Sequence, residues 1–256
     1  EVCRFITLAH WHQVTGNRKD PSVMAHILGS QLPKFDNALS VGALNGSLIP
    51  NQQPTPLKLT KAADYYEQHC VKYPHRASFH SYAEFVHALL LEADSDVTAF
   101  VPQPYCLRIG RKLYTPDVYI VREGRIIVGE LKPAGRSLPE AWLQALEAFF
   151  NHQAMHFEMI SNEDVLEHET LALNWLPIVQ VLAEAQLDGV ETAAEENELV
   201  KKLLETRSLT VGELLTEGPR EDRYRLELAL LRLLHRHRIE ADLSEEPWDY
   251  DTVVQL

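Results

Sequence analysis

From Ser81 to Ala93 the apolar residues of SYAEFVHALLLEA, namely Tyr82, Phe85, Val86, Leu89, Leu90 and Ala93, recur at the i, i+3, i+4, i+7 spacing of an amphipathic helix. The period then changes. Strand-like runs follow at about 97–100, 105–109, 113–121 and 125–132, with RIGRK and REGR as turns between the later ones, which predicts a meander. After Pro133, SLPEAWLQALEAFFNHQAM has Pro139 in its first turn and Trp142, Leu146 and Phe149 on one face, and HFEMI follows as another strand. A strand, a helix and a returning strand make a crossover connection, so the expected class is α/β, a mixed sheet flanked by helices.

Residues 1–70 carry only scattered apolar positions and the loop-like IPNQQPTP of 49–56, and are expected to form an N-terminal extension. Residues 71–190 would hold the sheet, with 161–187 helical. The acidic ETAAEENE of 191–198 suits a solvated helical face or a linker and places a boundary there. The remainder, 191–256, predicts a short helix around VGELL, a long one in DRYRLELALLRLLHRHR, and a hairpin of IEADL with DTVVQL. Helices followed by a hairpin suit a winged-helix-like domain, with Arg223, Arg225, Arg232, Arg236 and Arg238 as the strongest basic cluster of the chain. No internal repeat is present.

Composition narrows the function classes. A hydrophobic share of 45% over 256 residues is enough to bury a core. No apolar run approaches the roughly 18 residues that span a bilayer, and EVCRFITLAHWH lacks a signal-peptide pattern, so a cytoplasmic protein without a membrane partner is expected. Cys3, Cys70 and Cys106 are odd in number and far apart, which argues against a disulfide framework or a zinc ribbon. A net charge of −13 is unusual for a chain that grips DNA alone, so a nucleic-acid role needs local cations, metal ions or partner subunits. Phosphate-binding glycine loops and GxSxG are absent. The histidine pairs HWH at 10–12 and HRH at 235–237 are weak chelators, the second because i and i+2 do not share a helix face; HRH is expected at a solvated or DNA-facing edge.

The chemistry concentrates in YTPDVYIVREGRIIVGELKP. Side chains alternate along a strand, so Glu130 and Lys132 share a face, and Asp117 on the preceding strand can point to it. Two carboxylates and an ammonium suit Mg²⁺ and a phosphate ester, since Mg²⁺ takes one or two carboxylates plus water and phosphate oxygens. An isolated D…ExK match is more simply a surface hairpin with a cross-strand ion pair. Against that stand the apolar neighbours IIVGEL, Pro116 directly before the aspartate, and a third acid, Glu84. Ser81-x-x-Glu84 also spells a capping box, so Glu84 has a local role beside any role at the sheet.

With those residues in place, residues 78–133 resemble the TnsA endonuclease subunit of heteromeric transposases, in the restriction-endonuclease-like PD-(D/E)xK superfamily. DVTAFVPQP is similar to that family's "QP" strand, YTPDV and GELKP to its "YTPD" and "EVKP" blocks, and HFEMISNEDV to the strand and helix that follow. The resemblance implies a restriction-endonuclease-like sheet, with Glu84, Asp117 and Glu130 as metal-binding carboxylates and Lys132 as catalytic lysine. Gln103 matches the "QP" glutamine and is expected behind the metal ligands. Gly129 departs from the pattern, standing where a branched residue is usual.

The resemblance further implies two Mg²⁺ ions, with Mn²⁺ able to substitute, and cleavage of one strand at each end of a transposon. The partners would be transposon-end duplex DNA, a TnsB-like DDE transposase that handles the other strand, and a TnsC-like AAA+ regulator. Arg223, Arg232, Arg236 and Arg238 would contact DNA or a partner, with protein docking favoured because interspersed glutamates keep the local charge modest. The competing classes are a stand-alone restriction or repair nuclease and a non-catalytic DNA or protein adaptor.

Overall fold

In the computed structural model, which describes residues 39–44, 46–62, 64–215 and 219–256, ordered elements begin well before the first predicted helix. Strand β1 (Val41–Ala43), the one-turn helix α1 (Leu59–Ala62) and the hairpin of β2 (Tyr66–His69) with β3 (Arg76–Phe79) all precede it. Residues 41–70, set apart from sequence as an extension, instead belong to one compact unit with the rest of Val41–Leu256, and the boundary expected near 190 falls inside that unit. Strands of three and four residues are too short to display a period. The HWH pair and Cys3 lie outside the described residues.

Helix α2 (Tyr82–Ala93) forms where expected, capped by Ser81, whose hydroxyl accepts from the Glu84 amide at 3.2 Å. Its buried side is wider than one stripe and includes Ala88, Leu91 and Glu92, because α2 also packs along a later helix. The meander is interrupted. β4 (Val97–Pro102) pairs antiparallel with β7 (Val118–Arg122), and β7 with β8 (Arg125–Lys132), whereas β5 (Leu107–Ile109) and β6 (Lys112–Tyr114) join β1 in a separate small sheet. The single run expected at 113–121 therefore splits at Thr115 and Pro116. Proline has no amide proton to give a ladder, so the chain leaves one sheet before it and enters another after it.

Helix α3 (Glu140–His152) carries the chain over to β9 (His156–Ser161), which pairs parallel with β8. The order β4-β7-β8-β9 is thus a mixed sheet in a mixed α/β unit, as the crossover argument required. Val118, Tyr119, Ile120 and Val121 are all buried, so β7 is covered on both faces. The predicted 161–187 helix is two, α4 (Asn162–Leu166) and α5 (Glu169–Leu187); α5 lies against α2. Among the described residues no helix is long and apolar enough to cross a membrane.

The C-terminal part runs α6 (Ala193–Thr206), β10 (Ser208–Thr210), α7 (Val211–Leu214), α8 (Arg220–His235) and β11 (Val253–Gln255). The acidic 191–198 stretch is the start of a helix, not a linker. The expected hairpin of 239–243 with 251–256 reduces to one bridge, Glu240 with Gln255, while β11 pairs mainly with β10.

His235 corrects the expectation of a solvated HRH edge. It is 8% exposed, and its Nε2 lies 2.7 Å from Oε2 of the fully buried Glu92 on α2. The other Glu92 oxygen accepts from the amides of Val71 at 2.8 Å and Lys72 at 3.0 Å. Lys72 itself is held by the Leu91 and Asp94 carbonyls, and burial lowers its ammonium to about 8. His237, two residues on, is exposed. Removing the side chain that partners a buried carboxylate leaves an uncompensated group and costs about 3–5 kcal/mol. His235→Ala is expected to lower the unfolding free energy by roughly that amount in urea titration, with His235→Gln losing less because an amide still reaches Glu92; a loss below about 1 kcal/mol for the alanine variant would refute this role.

Candidate active site

The site is assembled at the break between β6 and β7. The Asp117 amide donates to the Gly129 carbonyl at 3.0 Å, and its own carbonyl accepts from the Gln103 amide at 2.8 Å, so the backbone of Asp117 ties β8 to the end of β4. The Asp117 carboxylate then takes over where the β7 ladder stops: Oδ2 accepts from the Leu131 amide at 2.7 Å. The next residue on the inner face of β8, Glu130, is 4% exposed. Its Oε1 accepts from Lys132 Nζ at 2.5 Å and its Oε2 from the Tyr114 hydroxyl at 2.7 Å. The alternation that predicted a shared face for Glu130 and Lys132 is realised as this ion pair.

Glu84 reaches the same edge from the first turn of α2. Its Oε1 accepts from the Ser81 hydroxyl at 3.0 Å, and its Oε2 from the His80 amide at 3.1 Å and from Gln103 Nε2 at 2.6 Å. The capping role and the site role therefore coexist in one side chain.

Gln103 is 3% exposed and adopts φ +40°, a left-handed conformation uncommon outside glycine, asparagine and aspartate, and kept where the surroundings over-determine it. Its surroundings do so. Its amide and carbonyl are bonded to Asp117 and Gln53, its side-chain NH₂ to Glu84, and its Oε1 accepts from Gln52 Nε2 at 2.7 Å. Gln52 is in turn clamped on Ser78 through both the backbone carbonyl and the hydroxyl.

Gly129 also has a physical cause. A Cβ there would stand 2.6 Å from Ile160 Cδ1 and 2.9 Å from Val118 Cγ1. The volume that a branched residue would fill is occupied by Ile160 of the neighbouring parallel strand.

Burial pushes the Asp117 carboxyl well above the usual range, and the charges of Glu130 and Glu84 push it further; Lys132 and the Leu131 amide act against them. Burial likewise raises Glu84, opposed by the His80 amide. Burial works to lower the Lys132 ammonium, but its hydrogen bond to Glu130 and the charges of Glu130, Asp117 and Glu84 outweigh that, so it is raised and stays protonated. Tyr114 is driven upward by burial and then by Glu130, and remains a donor. A void of about 10 Å³ between Glu84, His87, Asp117 and Leu131 is at the lower limit for one water, so the inner side of the site is closed. His87 beside it is lowered to about 4 by burial and then by Arg122, and is neutral near pH 7.

Three carboxylates stand here with one ammonium to offset them. That excess of negative charge, carried on hard oxygen donors, fits a divalent cation such as Mg²⁺. Among the described residues no three His, Cys, Asp or Glu side chains are drawn together into a preformed cage, because the carboxylate oxygens are turned to the Lys132, Tyr114, Gln103, Ser81 and backbone donors.

The residues expected at the site, Glu84, Gln103, Asp117, Glu130 and Lys132, meet at this edge. Tyr114 and Gln52 were missed. Tyr114 sits in the YTPD block three residues before Asp117, which was a usable signal, whereas nothing in the sequence marks Gln52. The arginines of α8 are elsewhere and largely occupied. Arg225 bonds Glu195 at 2.6 Å and the Glu191 carbonyl, Arg232 bonds the Thr192 hydroxyl and the Val190 carbonyl at 2.6 Å each, and Arg236 bonds Glu196 at 2.7 Å. Arg232 and Arg236, expected at a contact with DNA or a partner, both hold the start of α6 onto α8, and Arg236 is also exposed. Arg223 and Arg238 are exposed.

No protein-family model matches the chain, and no curated protein matches it.

Gln103→Leu would leave Glu84 one donor short and Gln52 with only its Ser78 acceptors. Leaving a buried polar group unsatisfied costs about 1–3 kcal/mol, so the variant is expected to lose that much stability in urea titration at neutral pH, while Lys58→Ala, at an exposed side chain, loses less than about 0.5 kcal/mol.

Proposed function

We propose that this chain is a metal-dependent DNA endonuclease subunit of a heteromeric transposase, cutting one strand at each transposon end beside a DDE transposase and under an AAA+ regulator. The observation that carries the reading is the convergence of Glu84, Asp117, Glu130 and Lys132, the residues on which the resemblance to TnsA rests, at one edge of a mixed sheet. The sheet is read as restriction-endonuclease-like. The α6, β10, α7, α8, β11 order, with β11 between β10 and the Glu240 bridge, is read as a winged helix whose hairpin is reduced.

Asp117, Glu130 and Glu84 would hold the cation. When bound, Mg²⁺ lowers the pKa of the attacking water and steadies the leaving oxygen. Lys132, kept protonated by the three acids, supplies a positive charge beside Glu130 where negative charge develops on the phosphate. Tyr114 fixes the rotamer of Glu130 by holding its second oxygen, and Gln103 does the same for Glu84.

The test is strand cleavage of labelled transposon-end DNA with Mg²⁺, with and without the partner transposase. Asp117→Ala and Glu130→Ala are expected to reduce nicking by at least about 100-fold while the variants remain folded by circular dichroism, and a chelator should abolish wild-type nicking. Undiminished cleavage by Asp117→Ala would overturn the assignment.

A further inference from the structure

We infer that the β5–β6 hairpin, and not the arginine-rich α8, is the surface that grips duplex DNA at this site. The inference rests on the nuclease reading for its choice of ligand. Residues 97–116 contain Arg108, Arg111 and Lys112 and no acid, and residues 131–139 contain Lys132 and Arg136 and no acid. In a chain of net charge −13 this is a local reversal of sign beside the carboxylates. Arg108, Arg111, Lys112 and Arg136 are exposed, and among the described residues none of them forms an ion pair, in contrast to Arg225 and Arg236 of the C-terminal part. Cations left in water are those able to exchange counterions for phosphates.

The hairpin is tied to the reacting edge by a short chain of contacts. Tyr114 at the end of β6 donates to Glu130 at 2.7 Å, its ring meets Trp142 edge-on at 5.9 Å, and the Lys112 ammonium stands 5.8 Å over the same Trp142 ring. Lys112 lies two residues from Tyr114 along the strand, about 7 Å, which matches about two nucleotide steps of duplex rise. A phosphate held near Glu130 and Lys132 thus has its neighbours within reach of Lys112 and of Arg111 at the turn, where Gly110 at φ +59° reverses the chain. The C-terminal alternative is opposed by charge, since residues 240–251 contain six acids and no base.

The test is binding of the full-length chain to a labelled duplex in EDTA, with salt varied between about 50 and 200 mM. Each lost phosphate contact lowers the slope of log affinity against log salt by about 0.9, so Arg111→Ala with Lys112→Ala is expected to lower it by about 2 and to weaken binding about 10-fold or more. Arg111→Ala alone, which removes no internal contact, should lower it by about 1. Lys112→Arg, keeping both the charge and the ring contact, should bind as wild type, as should Arg223→Ala with Arg238→Ala.

An unchanged slope in the hairpin variants would overturn the inference. So would a wild type that holds no duplex at low salt, a loss that falls on Arg223 and Arg238, or hairpin variants that lose the partner transposase but not DNA. Unchanged hairpin variants with Asp117-dependent cleavage would sink the grip and leave the nuclease standing. A hairpin-dependent slope with cleavage that survives Asp117→Ala would do the reverse.

Discussion

Three carboxylates share one water-poor edge of the sheet with a single ammonium, and most of the unusual local structure follows from keeping them there. A buried carboxylate is tolerated only with donors around it. Glu84 has the His80 amide, Ser81 and Gln103; Asp117 has the Leu131 amide; Glu130 has Tyr114 and Lys132. Apart from Lys132 these donors are neutral, so they anchor the oxygens without cancelling their charge. The excess remains: burial raises both Asp117 and Glu84, and the charges of Glu130 and Glu84 raise Asp117 further. The left-handed Gln103, the glycine at 129 and the strand break at Pro116 each serve to bring a donor or a carboxylate to this edge.

What the sequence made legible was whatever is local and long enough to show a period. Helix α2 and strand β8 follow directly from i, i+3, i+4 spacing and from alternation, and the parallel return of β9 follows from a strand, a helix and a strand. The division of 113–121 was signalled by Pro116, but the apolar run on either side of it argued for one continuous strand. The β1 strand and the Gln52 clamp were not legible, because each is defined by partners 26 or more residues away and occupies too few positions to show a pattern. His235 was partly legible: it follows Leu233 and Leu234 in a leucine-rich helix, which marks an inward face more strongly than the neighbouring Arg236 marks an outward one.

Counting charges along the chain gives a different picture from placing them. The richest arginine cluster is spent on internal structure: Arg225, Arg232 and Arg236 satisfy acids, hydroxyls and carbonyls at the start of α6, including the buried Thr192. Guanidinium groups suit that task because one side chain can satisfy two acceptors at once. A sparser set on the β5–β6 hairpin stays in water and keeps its charge available. On the proposed reading, the overall acidity weakens non-specific attraction to DNA elsewhere on the surface and leaves it at that hairpin.

Helix α2 joins these two parts. Glu84 in its first turn belongs to the site, and Glu92 in its last turn is fixed by the Val71 and Lys72 amides and by His235 of α8. Twelve residues of helix span about 18 Å, and eight residues separate the two acids, which turns their side chains about 80° apart around the axis. One carboxylate can therefore face the sheet edge while the other faces α8, and together they fix both the axial position and the rotation of a rigid rod. Loss of the His235 contact would leave Oε2 of Glu92 without that partner in the interior, while Oε1 keeps its two amides. Helix α2 is thereby held by one acid at the candidate site and by the other at α8.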